Sequence, residues 1–355
     1  MDDAGENTRL EISSNGFTSM PRVSVIIVNY NSGDRLQKCL SALDGQTFSD
    51  FDVLVVDNAS SDNSIKNAKA HSEKLVLDIN WIDSNANLGF AAANNLAAER
   101  ATGEWLAFLN PDAYAKPDWL EKLLAAAKKF AWADAFGSTQ LDAEDPSTID
   151  GAGDCLLAFG IPYRSAFGWP IERLPPTSEC FAPCAAAALY RRSVFEALDG
   201  FDERFFCYGE DVDLGFRLRL RGGRIVQVAD AVVLHEGSGT TGRYSDFTVY
   251  HGNRNKIWLT FKNMPGILYW PLLPLQILAN LALLLRSTTN GTFRAYCRAL
   301  TDGMHGLPQF AKDRRTLAAE TRISALSLAA WLAWSPLAPW TRPPVGQALS
   351  DQQSE

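Results

Sequence analysis

Two glycine signatures are missing from this 355-residue chain. No G-x-G-x-x-G follows its first apolar run, and no G-x-x-x-x-G-K-[ST] occurs anywhere, so dinucleotide oxidoreductases and P-loop NTPases lose their main support. A bound nucleotide would need acidic groups and a metal to handle its phosphates. Cysteine is scarce, six in all, too few for a disulfide scaffold. Cys180 and Cys184 form a C-x3-C pair with no second Cys/His pair at finger-like spacing, which argues against zinc and for a reducing cytoplasm. Positive charge is in deficit: 33 Lys and Arg face 41 Asp and Glu, for a net charge of −8. That excludes a generally basic nucleic-acid binder, and no nucleic-acid partner is expected. Met1 to Met20 hold no apolar run, so a secretory signal peptide is not expected there and residues 1–20 read as a disordered leader. What the chain does have is apolar bulk, 46% hydrophobic and 11% aromatic. This suffices for a large core and, at this length, for roughly two domains.

From Pro21 the chain alternates short apolar runs with amphipathic stretches. Val23–Val28, Phe51–Val56, Leu75–Ile82 and Trp105–Leu109 read as strands. Residues 34–44, with Leu36, Leu40 and Leu43 on one face, the segment after Asp62-Asn63-Ser64, and Ala-rich 90–101 read as helices. Strand–helix alternation of this kind predicts an α/β fold with a mainly parallel, Rossmann-like sheet flanked by helices. Three of the strands end in polar side chains: Asn29, Asp57, and Asn110 with Asp112. Ligands of open α/β sheets bind at such carboxyl ends, although Asp and Asn also make turns and caps there.

From about 140 to 180 the periodicity fails among scattered Pro, Gly and aromatics, which predicts long loops shaping an acceptor cleft. Ala185–Tyr190 reads as a buried strand and 192–198 as a short helix. Glu210–Arg221 alternates like a strand but carries acids first, Arg last and Gly222-Gly223 as a stop, and the helix reading is preferred, with Asp213 pairing Arg217. Ile225–Val228 and Val232–Leu234 read as short closing strands. Met264–Leu285 is uncharged, long enough to cross a bilayer, and interrupted by Pro265, Pro271 and Pro274. Ile323–Thr341 is a second uncharged stretch. Flanking basic and aromatic residues suit a membrane interface, and a buried helix pair is the plainer alternative.

Several side chains suit metal and proton chemistry. Asp112 after an apolar strand could hold Mg²⁺ or Mn²⁺ against a diphosphate, since such hard ions take oxygen ligands. Asp57 could accept from a base or ribose. Glu210-Asp211, beside Phe205-Phe206-Cys207-Tyr208, could contain a carboxyl with a raised pKa suited to general-base work. His235 ends an apolar strand and could meet a metal or a phosphate.

Taken in order, Val25-Ile-Ile-Val-Asn-Tyr-Asn31, Val55-Val-Asp-Asn-Ala-Ser-Ser-Asp62, Asn87-Leu-Gly-Phe-Ala-Ala-Ala-Asn94, Leu109-Asn-Pro-Asp112, Gly200–Leu214 and His235-Glu-Gly-Ser-Gly239 resemble glycosyltransferase family 2, in its rhamnosyltransferase-like branch. The resemblance covers roughly residues 21–260. It implies a GT-A fold and inverting transfer of a sugar from a nucleoside diphosphate, with dTDP-rhamnose as the donor best suited to the branch. Galactofuranose, glucose or N-acetylhexosamine donors are the alternative. On it, Asn29 and Asp57 contact the nucleoside, and Asn87, Gly89 and Asn94 line the donor pocket. Asn110-Pro111-Asp112 stands where the family has D-x-D, a departure at Asn110, with Asp112 as the metal carboxylate. Asp211 is the base, Glu210 lies beside it, and His235 approaches the metal or diphosphate.

The expected organisation is a leader (1–20), a catalytic domain (21–260) with a nucleotide-sugar half (21–139) and an acceptor half (140–260), a membrane-associating helical region (261–342) and a disordered tail (343–355). The expected partners are a nucleotide-sugar donor, a glycan or polyprenyl-linked acceptor and the cytoplasmic face of the inner membrane, held peripherally or monotopically. The oligomeric state is left open. Two other readings stand beside this one. A nucleotidyltransferase would show a Gly-rich basic first loop, where this chain has Asn29-Tyr-Asn-Ser-Gly33. A non-catalytic sugar-nucleotide-binding module draws on Asn110.

Overall fold

A computed structural model describes residues 22–237, 245–346 and 349. The leader, Ser238–Thr240 and most of the tail lie outside the described residues. The first half alternates as expected: β1 (Val23–Asn29), α1 (Arg35–Asp44), β2 (Phe51–Asp57), α2 (Ser64–Ser72), β3 (Ile79–Asp83), α3 (Gly89–Ala98) and β4 (Trp105–Leu109). There follow β5 (Ala113–Ala115), α4 (Trp119–Lys129), β6 (Ala135–Asp142), β7 (Ile149–Ala152), β8 (Asp154–Leu157), β9 (Pro162–Arg164) and β10 (Ser178–Glu179). Then come β11 (Ala187–Arg191), α5 (Arg192–Ala197), α6 (Glu210–Leu220) and β12 (Ile225–His235).

Ten strands form the main sheet, in the order β10-β12-β6-β11-β4-β1-β2-β3, with β5 on β12 and β7 on β6. Strand alternation sends Val25 and Ile27 to one face, against Leu36 and Leu40 of α1 and Leu120 and Leu123 of α4. Ile26, Leu54 and Val56 go to the other face, against Ala93 and Ala97 of α3, Phe195 of α5 and Leu214 of α6. With both faces covered, the strands read as continuous apolar runs.

The sheet is mixed rather than mainly parallel. β1, β2, β3 and β4 pair in parallel, as do β6 and β12, but β11 lies antiparallel between β4 and β6. The two expected closing strands are one strand, β12, with a register shift between Val228 and Val232. The third strand starts at Ile79 rather than Leu75, and Leu75 and Leu77 pack on the core from the preceding turn. The segment expected to be loops between 140 and 180 holds β7 to β10, strands of two to four residues, too short to show a period. The 139/140 division falls inside β6, which bonds to β11 and β12.

Glu210–Leu220 is a helix, and its Asp213–Arg217 pair forms at 2.7 Å. Its strand-like alternation arises because almost all of it is buried.

The C-terminal cluster comprises α7 (Asp246–Asn263), α8 (Gly266–Ser287), α9 (Phe293–His305), α10 (Ala311–Glu320), α11 (Ala325–Ala329), β13 (Leu332–Ala333) and α12 (Ala338–Thr341). Trp258, Leu259 and Phe310 pack there against Phe205 and Phe216. Among the described residues, α8 is the one helix long and apolar enough to cross a membrane. It runs through Pro271 and Pro274 and leaves Ile267, Trp270, Leu278 and Leu285 exposed. The second uncharged stretch breaks into α11, β13 and α12, with Pro336 between the last two and Pro339 in the first turn of α12. Residues 343–346 are packed: the Tyr163 hydroxyl donates to the Pro343 carbonyl at 3.0 Å, and Val345 joins an apolar cluster with Tyr163 and Ala338.

Candidate functional site

A cleft of about 790 Å³ opens where the carboxyl ends of β1, β2 and β4 meet the start of α6 and the end of β12. Asp112 and Asp211, far apart in sequence, both line it.

Asp112 and His235 stand together in its lining. Residue 112 follows β4 through the Asn110-Pro111 turn, and His235 is the last residue of β12. The imidazole is 3% exposed. Its Nδ1 lies 2.7 Å from Asp150 Oδ2, and Arg164 donates to that same oxygen. Its Nε2 makes no hydrogen bond and faces Asp112 Oδ1 at 3.4 Å. A buried ring nitrogen without a partner, aimed at a carboxylate, is what a cation held by both groups would leave, so the residues fit a divalent metal. Asp150 would then orient the ligand from behind, as carboxylates do for metal-binding histidines. Burial alone would raise the Asp112 carboxyl, but the His235 contact outweighs it and holds the group below its ordinary value. Burial depresses His235, and Asp112 and Asp150 more than restore it, for a net upward shift.

Also in the cleft lining, Gly209, at φ 89°, makes the left-handed turn that starts α6. The Asp211 carboxylate accepts from the N–H groups of Val212 at 2.8 Å and Ala185 at 3.2 Å. Burial pushes its pKa up, these amides and Arg164 pull it back, and the net direction is upward. That suits a base. Glu210 differs: its Oε2 is buried without a hydrogen bond, and burial and Asp211 drive its carboxyl well up. Its environment therefore favours the protonated form more strongly than that of Asp211 does.

Asp154 was not picked out from the sequence. It lines the cleft, and its carboxylate, that of Asp211 and the Cys184 sulfur lie within 4.8 Å of one another. Two carboxylates could hold a cation there, but burial pushes the Cys184 thiol up to about 12, so sulfur is a weak third ligand. The available signal for Asp150 and Asp154 was Asp-Gly-Ala-Gly-Asp, glycine turns presenting acids as the strand ends do.

Asn87, Gly89 and Asn110 line the cleft, together with Tyr30 and Asn58. Gly89 sits at φ 80°, where a Cβ would come within 2.5 Å of Phe206. Asn29, Asp57 and Asn94 are not among the lining residues. The Asn29 amide donates to Ser60 Oγ and Ser64 Oγ at 3.0 Å and to Asp57 Oδ1 at 3.4 Å. Its own oxygen accepts from Ser32, so its capacity is spent on the β1 turn. Asn94 donates to the Phe90 carbonyl at 2.8 Å inside α3.

Residues 24–199 match the sequence profile of glycosyl transferase family 2. The chain is 32% identical over 244 residues to an N-acetylglucosaminyl-diphospho-decaprenol L-rhamnosyltransferase of Mycobacterium tuberculosis, covering 62% of this chain and 77% of that one. In fold it is similar to a mannosyltransferase of Pyrobaculum calidifontis solved with GDP-Man and Mn²⁺, with a TM-score of 0.53, 18% identity and coverage of 85% and 86%. It is also similar in fold to S. aureus TarS 1-349 solved with UDP-GlcNAc, with a TM-score of 0.52, 17% identity and coverage of 88% and 93%. A mixed sheet of GT-A type, a carboxylate-lined cleft at its strand ends and 32% identity across 77% of a relative's length lead to one conclusion: the chain belongs to glycosyltransferase family 2, as a nucleotide-sugar-dependent transferase.

Proposed function

We propose that the protein catalyses an inverting transfer of one sugar from a nucleoside diphosphate to a hydroxyl of a glycan or lipid-linked acceptor. The observation that carries this is the cleft itself, whose lining brings together Asp112, His235 and Asp211. A sugar hydroxyl is a poor nucleophile at neutral pH. Asp211, ionised and held by two backbone amides, takes its proton as the anomeric carbon is attacked. One displacement opposite the leaving group inverts the centre and needs one base, not the paired carboxylates of a glycosidase. Asp112 and His235 would hold Mg²⁺ or Mn²⁺, which when bound stabilises the charge gathering on the leaving diphosphate. The imidazole tilts the choice toward Mn²⁺, because Mg²⁺ is served by oxygen ligands.

The donor is assigned as a class, a nucleoside diphosphate sugar. The rhamnosyltransferase relative makes dTDP-rhamnose the first donor to test. GDP-mannose and UDP-GlcNAc in the two structures of similar fold show how widely that class ranges. The exposed apolar face of α8 supports peripheral or monotopic attachment at the cytoplasmic face of the inner membrane. Asn110 in the D-x-D position favours the second reading, a binding module. Asp211, oriented and with its pKa raised, speaks for catalysis.

A panel of nucleotide sugars tested by thermal shift with and without Mn²⁺, followed by assay of nucleoside diphosphate release, tests the proposal. Mn²⁺-dependent stabilisation by one donor and slow release are expected. Binding without turnover under every acceptor would leave only the module.

A further inference from the structure

Asp211 reaches the cleft on a strained piece of chain. Phe206 sits at φ 67° and ψ −65°, and the Cys207 N–H donates back to the Phe205 carbonyl at 2.8 Å. That is a γ-turn of the form that L residues rarely adopt. Tyr208 at φ 71° and Gly209 at φ 89° follow directly, and residues 206–211 all line the cleft. Backbone of this kind persists only where its surroundings over-determine it.

Three carbonyls of this segment converge on one side chain. The Asn255 amide nitrogen donates to Phe205 and Cys207 at 2.8 Å and to Tyr208 at 2.7 Å. Asn255 belongs to α7 and is 1% exposed. Its own oxygen accepts from Arg254 Nε at 2.9 Å, which fixes the way the amide faces. Arg254 donates to the Phe205 carbonyl as well, at 3.0 Å. The Phe206 peptide is held separately: its carbonyl accepts from the Ala91 N–H of α3 at 3.1 Å, and its ring lies over Gly89. Beyond Asp211, Lys262 and Asn263 of α7 bind Asp213 at 2.9 and 2.7 Å. One helix of the C-terminal cluster therefore grips the chain on both sides of Asp211, while the contact to Gly89 is secured by α3. The amide shares two N–H groups among three acceptors, which no aliphatic or ionised acidic side chain can do.

We propose that Asn255 is a positioning residue for the transfer: its amide holds the 206–209 turns so that Asp211 meets the acceptor hydroxyl, and the C-terminal helices thereby complete the reaction site. The proposal rests on the reading of Asp211 as the base.

Two measurements on the full chain test it, and the first needs no turnover. Cys207 lies in the held segment and is half-buried, as is Cys297, while the other four cysteines are buried. In a Cys297→Ser background, a water-soluble thiol reagent should label Cys207 about tenfold faster once Asn255→Ala is added, because local opening becomes easier. The second is single-turnover release of nucleoside diphosphate. Asn255→Ala should lose about 10–100-fold in rate, as a small displacement of a catalytic group can, with donor Kd by calorimetry unchanged. Because Asn255 acts through Asp211, adding Asn255→Ala to Asp211→Asn should cost no further rate. Asn255→Ser keeps one hydroxyl donor, should shift both readouts in the same directions by less, and decides the matter if the alanine chain does not fold. The proposal is overturned if labelling or rate in these variants matches the wild type. It is overturned too if donor affinity falls as far as the rate, or if the rate loss is as large beside Asp211→Asn as without it, the mark of a merely structural role. An Asp211→Asn chain as active as the wild type would sink the base reading and this role with it, while the labelling would still report whether Asn255 holds the turns.

Discussion

Asp211→Asn separates chemistry from binding. The wild-type carboxylate accepts two backbone N–H groups, from Val212 and Ala185. Asparagine keeps one accepting oxygen and turns an NH₂ toward the other donor, a loss of about 1–3 kcal/mol. Against this, a charge disappears beside Asp154 and Glu210, whose carboxyls it pushes up, so the fold should change in stability by no more than about 2 kcal/mol. The barrier fares differently. Loss of a positioned base costs about 10²–10⁴ in rate, or about 3–5 kcal/mol. Donor affinity, assigned above to Asp112 and His235 with their metal, should move less than about threefold. Single-turnover nucleoside diphosphate release gives the rate, and calorimetry gives donor Kd. The sign of the pH dependence follows from the same environment. The base works only when ionised and burial raises its pKa, so kcat/KM should fall on acidification at a pH above the ordinary aspartate range. A variant within tenfold of wild-type kcat would refute the assignment.

Asp150→Asn leaves His235 Nδ1 without its carboxylate, so Mn²⁺ affinity should drop about 10–100-fold in a calorimetric titration; unchanged affinity would remove His235 from the metal site. Leu278→Glu with Leu281→Glu, on the exposed face of α8, should abolish co-sedimentation with anionic vesicles while leaving Tm unchanged, and full retention on vesicles would end the attachment proposal. Asp213 is fully buried and accepts from Arg217, Lys262 and Asn263, so Asp213→Asn should cost about 3–5 kcal/mol in urea unfolding. Burial would raise this carboxyl, but Lys262 and Arg217 hold it below its ordinary value. Its stabilising contribution is therefore present above the unfolded-state pKa near 4 and lost as pH falls through the folded value. The variant should show a shallower acid dependence, and parallel wild-type and variant curves would contradict this.

The sequence displays the first half of the fold because local signals there agree: β1, β2 and β4 are largely buried apolar runs, and α1 carries an apolar stripe at helical spacing. It hides β7 to β10, whose few residues have no period, and it hides strand direction. Nothing in Ala185–Tyr190 says that it will run against β4. In the candidate site, Asp112 and His235 were legible as an acid and an imidazole after apolar strands, and Asp211 as one of an acidic pair beside aromatics. Asn29 carried the same signal, yet its amide closes the β1 turn, since a short polar side chain at a strand end serves a turn as readily as a ligand. Asp154 escaped because it opens a strand instead of ending one.

The antiparallel β11 bears on how the chain is made. Until residue 191 has left the ribosome, β4 presents an unpaired edge, because its neighbour on that side is encoded some eighty positions downstream. Fragments ending near residue 139 should therefore aggregate when expressed alone, and a holdase bound to the nascent β4 edge would raise the yield of the whole enzyme more than one acting on the finished protein.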